Sequence, residues 1–352
     1  MQGKKKVIGN TVFLFAVFAL TVYGVFHGED LGEMLKALKR ADVRWLIPGV
    51  FLVMFFIWGE SIIIWYMMRS FHIYLKKRIC FLFSSVGFFF SCITPSATGG
   101  QPMQVYYMNK EKIPVPVAAV VLMIVTITYK LVLVVTGLGI VVFGQGFLHR
   151  YLEEILPVFY LGLLLNVFCV SFMTVLVFHP VLAEGILLKG MEWMERLHLL
   201  KRRETRRIKL QNSMQVYRET AAYLKEHRKV IVSVIVITFV QRFALFAVTY
   251  MVYLAFGLSG TDRKDVVLLQ AVISVSVDML PLPGGMGISE SLFLKIFVPV
   301  FASLTLPAMV LSRGLGYYSQ LLISALFTIV AQIYYMLKEQ KRHDVIKRIE
   351  NV

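Results

Sequence analysis

Apolar residues in this chain run in long blocks rather than recurring at the spacing of a half-buried helix or strand. Six blocks, at about 7–26, 45–68, 114–144, 155–179, 230–257 and 306–337, are long enough to span a membrane as helices, which takes ~20 residues each. Two further apolar regions are interrupted. Residues 80–108 are broken by Thr94-Pro95-Ser96-Ala97-Thr98-Gly99-Gly100-Gln101-Pro102, and residues 265–297 by Leu280-Pro281-Leu282-Pro283-Gly284-Gly285-Met286-Gly287. Proline removes a backbone donor and clashes with the preceding turn, while glycine admits left-handed turns, so neither region continues as one helix. Broken backbone at membrane depth is tolerated only against protein or a watery cavity. The pattern therefore predicts an all-α polytopic membrane protein of about six spanning helices plus two re-entrant helix hairpins, forming a single domain over 1–352.

Composition agrees and narrows the class. The chain is 58% apolar and 16% charged with a mean hydropathy of +0.71, against about 45–50% and about 25% for soluble domains. That excludes a soluble enzyme, a disordered regulator and a fibrous protein. Lys4, Lys5 and Lys6 precede an apolar run, Val7 to Phe26, that is too long for a signal peptide and lacks a small-residue cleavage site. It is read as the first span. Cys80, Cys92 and Cys169 have no paired spacing and are expected to pack as small hydrophobes.

The net charge of +16 is informative through its distribution. With a cytoplasmic N-terminus and hairpins that return to their side of entry, the inside segments hold 26 Lys and Arg, twelve of them in 180–229. The outside segments (27–44, 145–154 and 258–265) hold seven, against eight acidic residues. This is the positive-inside asymmetry, so the charge reads as orientation plus attraction to an anionic leaflet, and nucleic acid is excluded as a partner. Both termini are then cytoplasmic. In 180–229, Leu187, Leu188, Met191, Met194 and Leu197 with the basic run Lys201 to Lys209 predict an amphipathic helix on the inner leaflet. The outer loop 29–41 reads as a surface helix bridging two spans.

The same layout predicts an inverted repeat, about 1–150 and about 151–340. Each half reads span, span, hairpin, span, with a Gly-Gly pair at each break, Gly99-Gly100 and Gly284-Gly285. Lys130 follows the first pair by 30 residues and Arg313 the second by 28, while Glu60 precedes the first by 40 and Arg242 the second by 43. Inverted repeats with interrupted helices point to alternating access around a midplane site.

Seven ionisable residues fall at membrane depth: Glu60, Lys130, Arg242, Asp278, Glu290, Lys295 and Arg313. A charge at a helix centre costs about 2.5–3.5 kcal/mol on insertion scales, so such groups face a cavity or one another. Lys295 is expected to snorkel to the outer interface. Lys130, Arg242 and Arg313 offer a point charge and two planar forks suited to a lipid phosphate. Helix N-termini after Gly100 and Gly285 aim N–H groups at an anion, with Thr98, Gln101, Ser289 and Glu290 as polar neighbours. Glu60, Asp278 and Glu290 are expected to pair with the bases, or to meet an amino-bearing head group. The seven histidines lack metal-ligand spacing, no G-x-S-x-G elbow occurs, and Gly284-Gly285-Met286-Gly287 lacks the Gly-Lys-Ser/Thr of a nucleotide loop. No catalytic residue, metal or cofactor is expected.

The two broken loops, the second read through to Ile288-Ser289-Glu290, resemble the signature loops of the flippase-like transmembrane region of bacterial lysylphosphatidylglycerol synthases. The likeness extends over nearly the whole chain in motif order and span pattern. It implies a plasma-membrane domain that moves lipids such as aminoacylated phosphatidylglycerol between leaflets, with membrane phospholipids as partners and a homo-oligomer left open. Full-length members carry a soluble aminoacyltransferase domain after this region. About fifteen residues follow the last span here, so translocation without lysyl transfer is the expectation. A phosphatidylglycerol lysyltransferase and a membrane scaffold for lipid-modifying enzymes are the rival readings.

Overall fold

The computed structural model describes residues 31–196 and 204–350. The span expected at 7–26 lies outside the described residues, as do Leu197 and the start of the basic run. Among the described residues the chain is helical and contains no strand. The longer helices are α1 (Leu31–Arg40), α2 (Val43–Ser70), α3 (Lys77–Ile93), α4 (Gly100–Lys110), α5 (Val115–Phe143), α6 (Leu156–Phe178) and α7 (Pro180–Arg196). They continue with α8 (Glu204–Glu226), α9 (Arg228–Ala255), α10 (Arg263–Val277), α11 (Ile288–Ile296), α12 (Thr305–Arg313) and α13 (Ser319–Glu350).

Five helical stretches are long and apolar enough to cross a membrane: Val43–Ser70, Val115–Phe143, Gln145–Phe178, Arg228–Ala255 and Val298–Gln340. They match the five expected spans that fall within the described residues. Their outward faces stay apolar, with Phe143 88%, Leu322 69% and Phe168 66% exposed. Contiguous apolar surface of this kind on several helices belongs against lipid. The protein is a multi-pass membrane protein.

Local signals set the helix ends. The Asp42 carboxylate accepts from the Arg44 N–H at 2.9 Å and caps α2; Asp262 accepts from Lys264 N–H at 3.2 Å and caps α10. Pro114 and Pro116 open α5, where a missing N–H costs least. The interruptions fall where the prolines and glycines stand. Between α3 and α4 the turn Pro95–Ala97 places Ala97 at φ 54°, and between α10 and α11 the turn Pro283–Gly285 places Gly284 at φ 57°.

The two broken pairs pack in corresponding ways. α3 lies on α2 and on α13, while α10 lies on α9, on α6 and on α5. Thus each first arm contacts the span before it and a span distant in the chain. The helices α2 and α9 pack along each other, and the two breaks touch, Pro95–Ala97 against Pro283–Gly285. The described residues of 180–229 hold two helices, α7 and α8. α8 buries Met214, Tyr217, Ala221 and Leu224 in the bundle, and Tyr217 and Tyr223 donate to the carbonyls of Leu176 and Ser70 at 3.2 and 2.7 Å. α7 keeps Leu187 and Trp193 exposed.

Apolar burial separates into two clusters. One gathers Val53 and Ile57 of α2, Leu133 and Ile140 of α5, and Phe246 to Tyr253 of α9. The other gathers Ile63 to Met68 of α2, Val117 to Ile127 of α5, and Val230 and Val234 of α9. Each of these three helices therefore passes from one apolar cluster to the other, and the residues at the crossing are polar.

Candidate functional site

That crossing holds a polar layer near the middle of α2, α5 and α9. Gln241 Nε2 donates to the Phe56 carbonyl at 2.7 Å, and Gly59 opposite it leaves no room for a Cβ, which would come within 2.8 Å of Gln241. Thr238 donates to Thr128 at 3.3 Å. These contacts hold α2, α5 and α9 close enough for their charged residues to share one space.

The layer's centre is Asp278, the first residue after α10. Its two carboxylate oxygens accept from Lys130 Nζ and Tyr129 Oη, both on α5. Lys130 is 9% exposed and also lies 2.9 Å from the Met279 sulfur. Arg242 of α9 is 7% exposed. Its guanidinium carbon sits 3.4 Å from the Tyr129 ring centroid and 5.3 Å from that of Phe56, two cation–π contacts. Arg242 makes no ion pair among the described residues, and its Nε has no hydrogen-bond partner there. Glu60 of α2 accepts from Gln104 Nε2 of α4 at 2.7 Å.

A second cluster lies further along the same broken loop. Glu290 Oε2 accepts from the Gly287 N–H at 2.7 Å and from the Ser289 hydroxyl at 2.9 Å, which caps α11. Glu290 Oε1 is 2.6 Å from Arg313 Nε, and Arg313 also donates to the Gly284 carbonyl at 3.2 Å. The helix N-terminus expected after Gly285 thus starts three residues later, at Ile288, with Glu290 occupying the Gly287 N–H. Arg313 lies 4.7 Å over the Tyr317 ring, whose hydroxyl donates to the Cys92 carbonyl of α3 at 2.9 Å. That ring also lies where a Cβ on Gly284 would stand. Tyr317 sits in a π-helical turn, Gly314–Tyr318, between α12 and α13, a geometry frequent at functional sites. Beside it is a cavity of about 170 Å³ reached by Arg313, Thr249, Gln270, Ser274, Ser312 and Gln320.

The structure therefore brings Lys130, Arg242, Asp278 and Glu60 into one layer and pairs Arg313 with Glu290 in another, linked by the segment 278–290. The remaining expected site residues are engaged locally. Thr98 donates to the Pro95 carbonyl at 2.9 Å, and the Gly99 N–H donates to Thr94 Oγ1 at 2.9 Å. Gln101 turns to Thr126 on α5. Gly100 is buried, and a Cβ there would meet Ser91 and come 2.6 Å from the Gly87 carbonyl, so its role is to let α3 and α4 approach. Gly285, at φ 68°, packs on Val277. Lys295 is exposed. Sequence reasoning missed Gln104, Tyr129 and Tyr317. Each carried a signal: Gln104 lies one turn after Gln101, Tyr129 precedes Lys130, and Tyr317 lies one turn after Arg313.

A model of the family described as lysylphosphatidylglycerol synthase TM region matches residues 7–324. The chain belongs to that family, and so is a membrane protein related to lysylphosphatidylglycerol synthesis and flipping. A comparison with curated proteins finds no match.

Proposed function

We propose that this member of the lysylphosphatidylglycerol synthase transmembrane-region family is a lipid translocase of the bacterial plasma membrane. Its cargo is a phospholipid with an anionic or zwitterionic head group, such as aminoacylated phosphatidylglycerol. The lipid phosphate binds in the polar layer while the acyl chains stay in the bilayer.

The observation that carries this reading is Arg242. A buried cation with no direct ion pair is costly in protein and more so at membrane depth. Arg242 is held by two aromatic rings, its Nε is unpartnered among the described residues, and Glu60 and Asp278 act on its charge from nearby without an ion pair. A phosphate arriving from outside the chain supplies the direct partner, and Arg presents a planar fork to it. Lys130 stands ready beside Asp278 as a second donor. The positions of the two broken pairs support an inverted repeat, in which α2 and α9, then α3 and α10, exchange roles as the site turns from one face to the other. The basic asymmetry of the loops supports cytoplasmic termini.

The test is leaflet exchange in vesicles. Reconstituted protein should expose tail-labelled phosphatidylglycerol on the inner leaflet to an impermeant quencher faster than protein-free vesicles do. Arg242→Gln should lower that rate at least about tenfold, the loss of one charged hydrogen bond. Equal rates in wild-type and empty vesicles would refute the reading.

A further inference from the structure

The polar layer around Arg242 is balanced in charge but not in partners. Two acids, Glu60 and Asp278, stand with two bases, Lys130 and Arg242, so the four side chains sum to zero. The acids are held differently. Both oxygens of Asp278 are filled, one by Lys130 Nζ and one by Tyr129 Oη. Glu60 is half-buried and accepts one hydrogen bond, at Oε1, from the neutral Gln104 amide at 2.7 Å. Its other oxygen, Oε2, has no partner among the described residues. A Cβ on Gly87 would overlap the Gln104 amide, so α3 is bare where that amide is seated.

The neighbours of Glu60 leave it one charge to answer to. Arg242 of α9 acts on it through space, without an ion pair. From α5, Lys130 and Tyr129 are turned to Asp278, and α4 offers the neutral Gln104. Arg313, beyond the layer, is taken by Glu290. α3 carries no titratable residue between Cys80 and Cys92, and α13 none between Ser319 and Tyr334. Among the described residues of the layer, Glu60 is the acid that no cation holds and Arg242 the cation that no acid holds.

A phosphate at Arg242 upsets this balance. The layer then carries a net negative charge, with a carboxylate left beside a phosphate. A nearby like charge favours the protonated carboxyl group, and an uncompensated charge inside a membrane protein is expensive. Lys130 keeps Asp278 ionised, whereas the open oxygen of Glu60 is free to accept a proton. We propose that Glu60 is a proton-binding site, filled from water at Oε2 once for each lipid phosphate that binds at Arg242. The inference rests on the lipid-translocation reading and adds to it a proton as co-substrate. One O–H bond forms and none in the lipid breaks: carboxylate and proton become a carboxylic acid, whose carbonyl oxygen still accepts from Gln104, and the layer returns to zero. A singly anionic lipid and its proton then cross together without net movement of charge.

Proton uptake by the full-length chain in weakly buffered detergent at about pH 8, read with a pH indicator as phosphatidylglycerol is added, tests this. Uptake should approach about one proton per bound lipid in wild type and vanish in Glu60→Gln. The phosphate of this lipid does not titrate near that pH, so the proton goes to the protein. Because the bound form holds the extra proton, lipid retention should fall as pH rises, by up to about tenfold per unit between about pH 7 and 9. In Glu60→Gln retention should be level across that range. Sulfate at the same concentration should cause no uptake; equal uptake with sulfate moves the ligand from bilayer to water and overturns the lipid assignment. Wild type that retains phosphatidylglycerol with no proton uptake and no pH slope overturns the proposal without needing a variant. Equal uptake in wild type and Glu60→Gln overturns it by placing the proton elsewhere. Either result alongside intact leaflet exchange defeats this proposal alone, whereas absence of both retention and exchange defeats the translocase reading as well.

Discussion

The two broken loops look alike as sequences, each with proline, a Gly-Gly pair and small polar residues, yet they do different work. In the first loop the polar groups are met close at hand, Thr98 by Pro95 and Gly99 by Thr94, apart from Gln101, which reaches Thr126 on α5. The second sends its acids outward, Asp278 to Lys130 and Tyr129, Glu290 to Arg313. The first loop is thus a mainly local, uncharged corner that lets α3 meet α4. The second is the segment on which both charged clusters depend. Similar turn chemistry fixes similar backbone breaks, while charge decides which break organises the site.

Substitutions sharpen this contrast. Asp278→Ala should have the largest effect, because it strands Lys130 inside the bundle; both side chains are 11% exposed, and removing one partner of a buried pair costs about 3–5 kcal/mol. Thermal unfolding in detergent reads the loss. Combining it with Lys130→Met should restore most of the melting temperature without restoring lipid exchange, which separates fold from function. Glu290→Gln removes the counter-charge of Arg313 and weakens the cap of α11, at about 1.5–3 kcal/mol. Limited proteolysis near the second loop should report it before global unfolding does.

Gly284→Ala should cost about 1–3 kcal/mol through its positive φ, with a further clash against the Tyr317 ring. Adding Tyr317→Ala should relieve the clash and leave the backbone part, so the pair should be non-additive in a double-mutant cycle. Thr98→Ala in the first loop should change stability by less than about 0.5 kcal/mol, with exchange unaltered, since the residue is exposed and bonds only Pro95. A large loss of exchange at Thr98 would erase the distinction between the loops.

Much of this was legible beforehand. Apolar length alone placed the five described spans, because a helix in lipid has to satisfy its backbone internally. Proline and glycine placed the breaks for local reasons. The buried charges stood out because membrane segments rarely tolerate them. Their pairing did not follow from the chain, since Lys130 and Asp278 are 148 residues apart and any of three acids suited any of three bases. Packing chose the partners: Gly59 admits Gln241 and draws α2 to α9, and Gly100 admits Ser91 and draws α4 to α3. The aromatic share of the site was hidden for a different reason. Tyr129 and Tyr317 lie among many apolar residues, and only the bundle shows that their rings cover Arg242 and Arg313.

The central claim is that Arg242 awaits an anion from the bilayer. A cryo-electron microscopy map of the protein in phosphatidylglycerol nanodiscs addresses it directly. The account predicts phosphate density within hydrogen-bonding distance of the Arg242 guanidinium, with the two broken loops inside the hydrocarbon layer. A map in which all lipid phosphates stay at the two surfaces and Arg242 meets only Tyr129 and Phe56 would contradict it.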